Sequence, residues 1–405
     1  MPNEPAGFDV VHLAYTEFPA DTRVKREALA VAALGLRVAV IALRRGLAPA
    51  EEEIGPLHVV RLPGTKSRGG PATYLIEYGA FVWRCRRLLE QDRRFRNVRI
   101  VHVHTLPDFL VWSATPARRR GARIVLDLHE IFPEFAASKY PGFFGTIARR
   151  FALLSERDAR RRADVTITVN QPIADLLHSR RVQSGERLEI IHNSPDPSDF
   201  GEARQFKGGP DTTPLQLIYH GTLTPLYGLD VAIRGVAKAS HQGASVRFTI
   251  LGDGPQRRAL QQLVAQLDAQ SIVAFEEPIP QASLPDRLTR CDAGIVPTRL
   301  DVMTQYSLSN KLLEYVHLGI PVVAARLPSY TRYFNEDAAW FWDAGNEDDL
   351  ARAIMSFATA SHEEREKRTR LADEALSRIS WPRERKQLQQ IYTELLRDSR
   401  IAEPG

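Results

Sequence analysis

The sequence predicts an α/β protein built of two doubly wound, Rossmann-like domains with parallel sheets. Short apolar runs of strand length alternate with stretches whose apolar residues recur at helical spacing. The alternation stops at FKGGPDTTP (206–214), a Gly/Pro/Thr-rich stretch, and then restarts. The 405 residues suit two or three domains at roughly 100–200 residues each. Such alternation implies right-handed crossovers between parallel strands, which places ligands at the carboxyl ends of the strands.

In order along the chain, VVHLAY, VAVIAL, LHVVRL, IVHVH, RIVLDLH, VTITVN and LEIIHN read as buried strands, and DTRVKREALAVAALG as the helix between the first two. Beyond the linker come LQLIYHG, VRFTILGDGP, SIVAFEE, AGIVPT and PVVAA. After Trp381-Pro382, the spacing of Leu388, Ile391, Tyr392 and Leu395 marks an amphipathic terminal helix. The expected division is therefore 1–205, 206–380 and a terminal helix at 381–405. No repeat of solenoid length is present, and the acidic triplet 51–53 is the longest biased tract.

A hydrophobic content of 43% excludes a disordered chain. Cys85 and Cys291 stand far apart without a Cys-x-x-Cys or Cys/His pattern, so neither a disulfide framework nor a structural zinc site is expected. The opening MPNEPAGFDVVHLAY lacks the form of a signal peptide, and no run of 18 apolar residues occurs. These features point to the cytoplasm. The net charge of +5 is uneven: residues 1–205 hold 31 Lys/Arg against 24 Asp/Glu, and the rest 23 against 25. Nucleic acid, anionic lipid and phosphorylated small molecules are the partner classes this basic half suggests. Nucleic acid is disfavoured because the Arg runs lack interleaved aromatics at stacking spacing. PGFFGTIARRFALL, with Phe143 and Phe144 beside Arg149 and Arg150, suits a membrane interface or, equally, a core-packed helix.

Four segments carry chemistry. In LQLIYHGTLTPLYGLDVAIRGVA a strand ends at His220-Gly221 and a helix starts near Gly228 with Asp230 in its first turn, an arrangement that suits a phosphate or an ordinary tight βα turn. TILGDGP repeats it with Gly252 and Gly254. No complete G-x-G-x-x-G or Walker A pattern occurs, which argues against a dinucleotide dehydrogenase and a P-loop enzyme. In YSLSNKLLEYVHLGIPVVAA, Ser309 or Asn310 caps a helix, Lys311 lies in its first turn and Glu314 follows one turn later. A cation there opposes the helix dipole, which makes sense with an anion between them. The plain alternative is a surface ion pair worth about 0.3 kcal/mol. In the first half, VHVHTLPD puts His102 and His104 on one strand face near Asp108, and VLDLHEIFPE puts Asp127 and His129 on one side at a strand end. Metal binding there is not expected, because no third ligand at typical spacing is evident.

The order of FPADTRVKREA, VHVHTLPD, DLHEIFPE, IIHNSPD, HGTLTPLYGLD, ILGDGP, CDAGIVPT and SNKLLEYVHLGIPVVA resembles the glycosyltransferase family 4 type over nearly the whole chain. That resemblance implies a GT-B fold, with two Rossmann-like domains facing across a cleft and the terminal helix crossing back to the first. It implies metal-independent, retaining transfer of a sugar from a nucleotide diphosphate donor to a saccharide, lipid-linked or small-molecule acceptor, in polysaccharide or glycoconjugate synthesis. No cofactor is implied beyond a co-substrate such as a UDP- or GDP-sugar. Catalytic roles are implied for His129, Lys311 and Glu314, with Glu314 on the nucleotide ribose. Gly221, Thr222, Gly252, Gly254, Arg299, Tyr306, Ser309 and Asn310 complete the implied donor site, with AFEEP (274–278) bordering the base. Arg23, His104 and Asp108 join His129 on the acceptor side. An acceptor on an anionic inner membrane face would be drawn to the basic half. Three positions depart from the family pattern. Thr222 and Tyr227 stand where an Arg and a Lys clamp the diphosphate, and Tyr306 replaces the first glutamate of a pair. Lys311, with Arg299 or Arg23, is the expected compensation. The departures also suit a scaffold subunit that binds without turnover, and the same fold serves nucleotide-sugar epimerases.

Overall fold

The computed structural model describes residues 7–64, 71–139, 143–182, 184–206 and 213–398, without the side chains of 71–75, 138, 139, 143, 144 and 398. Most of the 206–214 linker and the side chains of Phe143 and Phe144 thus lie outside the described residues. The chain forms two compact units, Met1–Asn193 with Pro382–Gly405, and Ser194–Trp381.

The first unit contains β1 (Val10–Glu17), β2 (Val38–Leu43), β3 (Glu51–Ile54), β4 (Leu57–Leu62), β5 (Ile100–His104), β6 (Arg123–Leu128), β7 (Val165–Thr168) and β8 (Leu188–Ile190). They form one sheet in the order β3-β4-β2-β1-β5-β6-β7-β8. Its helices are α1 (Thr22–Ala32), α2 (Pro71–Gln91), α3 (Thr115–Arg119), α4 (Phe132–Lys139), α5 (Phe143–Arg162) and α6 (Gln171–Ser179). β1, β2 and β5 are buried almost throughout, the mark of strands covered on both faces. Asp21 caps α1 by accepting from the Val24 amide, and Asn170 caps α6 by accepting from Ile173.

One strand departs from the parallel expectation. The acidic triplet, read as a biased tract, forms the edge strand β3 and pairs antiparallel with β4. The solvent-exposed edge tolerates the three glutamates because each has a side-chain partner: Arg61 bonds Glu52 at 2.7 Å, Arg94 bonds Glu51 at 2.7 Å and His58 meets Glu53 at 2.5 Å.

The second unit holds β9 (Leu215–His220), β10 (Val246–Leu251), β11 (Val273–Glu276), β12 (Ala293–Val296), β13 (Val322–Ala325) and β14 (Trp340–Trp342), all parallel, in the order β11-β10-β9-β12-β13-β14. Its helices are α7 (Pro197–Phe200), α8 (Leu229–His241), α9 (Arg257–Gln266), α10 (Leu284–Leu288), α11 (Asn310–His317), α12 (Pro328–Thr331), α13 (Glu347–Thr359) and α14 (His362–Ser377). One core lies on each side of the sheet, the first around Phe248, Ile233 and Trp342 and the second around Tyr315, Leu313 and Phe334. β14 was not anticipated, since a three-residue WFW strand is too short to show a period.

The terminal helix α15 (Trp381–Asp398) belongs from Pro382 onward to the first unit. Leu388, Ile391, Tyr392 and Leu395 are buried. Polar contacts fix its register: the Tyr392 hydroxyl meets His102 Nδ1 at 2.7 Å, Gln389 donates to the Ala30 carbonyl at 2.8 Å and Arg99 donates to that of Leu396 at 2.9 Å. Tyr392→Phe strands a buried imidazole nitrogen, so it should destabilise the protein by about 1–2 kcal/mol in urea unfolding, with an unchanged denaturant slope.

Candidate active site

In the first unit the strand ends carry a buried charge cluster. Arg23, in the first turn of α1, donates through Nε and Nη2 to both oxygens of Asp127, at 2.9 and 2.7 Å. Its Nη1 donates to the Ile191 carbonyl at 2.9 Å, and Nη2 lies 3.1 Å from Glu27 Oε1, off the hydrogen-bond axis. Asp127 Oδ2 also meets His129 Nε2 at 2.7 Å and His104 Nδ1 at 3.2 Å. The sharing of one side by Asp127 and His129, read from the strand period, is the observed geometry, and His104 joins them. Burial alone would raise the Asp127 carboxyl, but Arg23 and the imidazoles outweigh it and hold it well below the usual range. Burial opposes the His129 imidazolium, yet the Asp127 charge prevails and raises its pKa.

Two further histidines extend the cluster inward. His104 Nε2 meets His12 Nδ1 at 2.9 Å, and the His102 and His104 rings stack at 4.2 Å. Burial, then the neighbouring His104, hold His12 and His102 well below the ordinary histidine value. Glu27, fully buried, is pushed by that burial up to about 8. Sequence reasoning missed His12, Glu27 and Tyr392. Glu27 follows Arg23 at i+4, a readable signal, whereas His12 meets His102 through strand register and Tyr392 arrives from far along the chain. Asp108 is 1% exposed at the start of a 3₁₀ segment, Asp108–Ala114, and both its oxygens are without a hydrogen-bond partner among the described residues, the histidines included. Burial, then Glu156, raise its pKa well above the carboxylate range.

Donor atoms of Glu27, His102, His104 and Asp127 lie within 4.8 Å of one another, a spacing that would suit a metal ion. The Arg23 guanidinium, however, already occupies both oxygens of Asp127 and stands beside Glu27. These carboxylates have an internal cation as their counter-charge, which makes the cluster a poor fit for a second one.

In the second unit the candidate donor residues meet where β9, β10 and α11 end or begin. Gly221 (φ +120°) and Gly252 (φ +148°) follow β9 and β10 directly. A Cβ on Gly252 would lie 2.0 Å from the Gly221 carbonyl oxygen, and one on Gly221 would lie 2.7 Å from Lys311 Cε. Only glycine admits this packing. Gly254 approaches the Leu223 backbone equally closely.

Lys311, half-buried in the first turn of α11, has its Nζ 4.0 Å from the centre of the Tyr227 ring and 5.3 Å from that of Tyr219. Tyr227, which replaces an expected clamp cation, therefore holds the remaining one by its π face. Burial lowers the Lys311 pKa to about 8, against the opposing pull of Glu314. Glu314 Oε2 lies 3.0 Å from Nε2 of the buried His220. Arg299 is tied to Asp230 at 2.5 Å. Thr222 accepts the Tyr219 hydroxyl on its carbonyl at 2.8 Å. Tyr306 is half-buried in the 3₁₀ turn Thr304–Tyr306, Ser309 holds the N-cap position of α11 and Asn310 is its exposed first residue. Arg257, at the start of α9, was not anticipated: it donates to the Gly252 carbonyl at 2.7 Å and pairs with Glu277 of the AFEEP segment at 2.6 Å. Its signal was the GDGPQRR run, a cation in the first turn of a helix as at Lys311.

Comparison with known proteins identifies the two domains and the fold. Residues 20–199 match the Glycosyltransferase Family 4 domain, and residues 214–359 match Glycosyl transferases group 1. A GDP-mannose-dependent alpha-(1-6)-phosphatidylinositol monomannoside mannosyltransferase of Mycolicibacterium smegmatis is 29% identical over 138 residues, 33% of this chain and 35% of that protein. The curated relatives it matches are covered over between 35% and 64% of their length. Among solved structures, sucrose-phosphate synthase from Thermosynechococcus elongatus superimposes with a TM-score of 0.76 at 16% identity, over 96% of this chain and 99% of that one. Anabaena Alr3699/HepE in complex with UDP-glucose gives 0.70 at 16% identity, over 96% and 100%. With both domain types matched in order and the fold shared over 96% of the chain, this is a two-domain glycosyltransferase chain, a Glycosyltransferase Family 4 domain followed by a Glycosyl transferases group 1 domain, on the GT-B fold.

Proposed function

We propose that this protein transfers a sugar, with retention and without a metal, from a nucleoside diphosphate donor held by the second unit to a hydroxyl acceptor held by the first. The observation that carries this reading is Lys311. Its ammonium sits on an aromatic face at a helix N-terminus, beside two glycine-walled loops, with an acidic residue one turn away. A desolvated cation so placed gains most when a diphosphate arrives, and gains more as the leaving group takes up charge. Neighbours of this fold bind UDP or UDP-glucose, as their names state, so a UDP-sugar is the first donor to test and a GDP-sugar the second. Glu314, whose Oε2 lies 3.0 Å from His220 Nε2 but off the hydrogen-bond axis, keeps its carboxylate oxygens for ribose hydroxyls.

On the acceptor side, the His129 ring is fixed through Nε2 on Asp127, which leaves Nδ1 for a sugar or acceptor hydroxyl. Asp127, held ionised by Arg23, sets that orientation and stabilises the imidazolium. A saccharide, lipid-linked saccharide or small hydroxylated metabolite fits this chemistry. Turnover separates this reading from a scaffold that binds donor without consuming it and from an epimerase that needs no acceptor.

Thermal-shift measurements with nucleoside diphosphates, with and without magnesium, should show stabilisation by one of them that does not need the metal. At 100 times the dissociation constant this is worth about 2.7 kcal/mol. Absence of any shift would reject the donor site. Lys311→Ala should lower kcat/KM for the donor by roughly 100- to 1,000-fold, as loss of one preorganised charge contact does. In the free protein Lys311 loses its proton as pH rises through about 8, so diphosphate affinity should be flat below that point and fall above it. Titration calorimetry across this range checks the sign, and Lys311→Arg should abolish the fall. His129→Ala should keep diphosphate binding while transfer falls by about 100-fold or more, measured as sugar transferred per donor consumed.

A further inference from the structure

We propose that the first unit docks on an anionic lipid bilayer through the outward face of α2, the 3₁₀ segment Asp108–Ala114 and α5. This goes beyond the proposed transfer reaction and does not rest on it.

Sheet order places these elements together. The steps β4 to β5, β5 to β6 and β6 to β7 all run the same way across the sheet, so right-handed crossovers set α2, the 3₁₀ segment and α5 on one face. The step from β1 to β2 runs the other way and sends α1 to the opposite face. On α2, Phe81, Cys85 and Leu89 are buried, while Ile76 and Trp83 lie on the far side of the helix. On α5, Ala152, Glu156 and Ala159 are buried, and Ile147, Phe151 and Leu154 fall within about 60° of one another on the far side. Trp112 bridges the two helices: its ring packs at 5.7 Å on Phe109, which meets Tyr78 of α2, and its Nε1 donates to Asp158 of α5 at 2.6 Å.

Ile76, Trp83, Trp112, Ile147, Phe151 and Leu154 are between 44% and 73% exposed. Large apolar side chains gathered on one outward face of a protein mark a contact surface. The surrounding charge says what covers it. Arg87 lies 5.4 Å over the Trp83 ring, and Arg150, Arg157 and Arg161 flank the apolar stripe of α5. Arg150 and Arg157 form no ion pair among the described residues. Of the acidic groups on this side, Glu90 is exposed on α2, and Asp158 is already engaged by Trp112 and by Arg162 at 2.8 Å. Tryptophans, aliphatic side chains and a rim of arginines are the composition that enters the headgroup region and pairs with lipid phosphates.

Co-sedimentation of the full chain with vesicles tests the proposal, using phosphatidylcholine alone or with one-third phosphatidylglycerol. The protein should bind the anionic vesicles, bind phosphatidylcholine far less, and release with added salt. Phe151→Ser with Leu154→Ser should abolish binding. Arg150→Gln with Arg157→Gln should weaken it by about 30-fold, at roughly 5-fold for each charge removed. These exposed positions should leave the circular-dichroism melt unchanged, which separates lost docking from lost folding. Wild-type protein that stays in the supernatant overturns the proposal, as does unchanged binding of both double variants. Concentration-dependent self-association removed by Phe151→Ser/Leu154→Ser, without vesicle binding, would overturn it in favour of a contact between copies.

Discussion

The bidentate pair of Arg23 and Asp127 is the interaction on which the first unit's strand-end chemistry depends. Breaking a buried pair of this kind costs about 3–5 kcal/mol, since the surviving charge has no water to turn to. Here the guanidinium also ties α1 to the segment after β8 through the Ile191 carbonyl. The ionised Asp127 in turn orients His129 and His104. Glu27, next to the same guanidinium but without good hydrogen bonds, is pushed toward its neutral form by burial. One cation thus sets the protonation pattern of a cluster that burial alone would have made neutral.

The second unit handles charge in the opposite way. Lys311 has no carboxylate within ion-pair distance among the described residues, and aromatic faces take the place of a counter-ion. Arg299 and Arg257, the other cations near the loops, are already tied to Asp230 and Glu277. The contrast is functional: a cation satisfied inside the protein orients its neighbours, whereas a cation left on a π face remains free to receive an anion. Tyr227, a departure from the family pattern when seen in the sequence alone, acts in the structure as support for the charge that remains.

Much of this was legible in the sequence. Strand alternation put Asp127 beside His129 and His102 beside His104, because side chains two apart share a face whatever the tertiary context. The capping pattern around Ser309 placed Lys311 in a helical first turn. The acidic triplet misled because its strand character depends on a partner: an exposed edge accepts three glutamates only where Arg61, Arg94 and His58 lie across from them. Trp340–Trp342 was too short to carry a period at all.

Local rules therefore determined the two α/β domains, their order, the glycine-bounded turns and the residue types at each strand end, because these depend on spacing within a few residues. Tertiary structure decided which charges are satisfied. Strand register brings His12 to His102, the terminal helix delivers Tyr392 to the same imidazole, and the folding of the α8 approach sets Tyr227 under Lys311. Such pairings join residues far apart in the chain, and their energies come from shared burial, a property that no window of sequence contains.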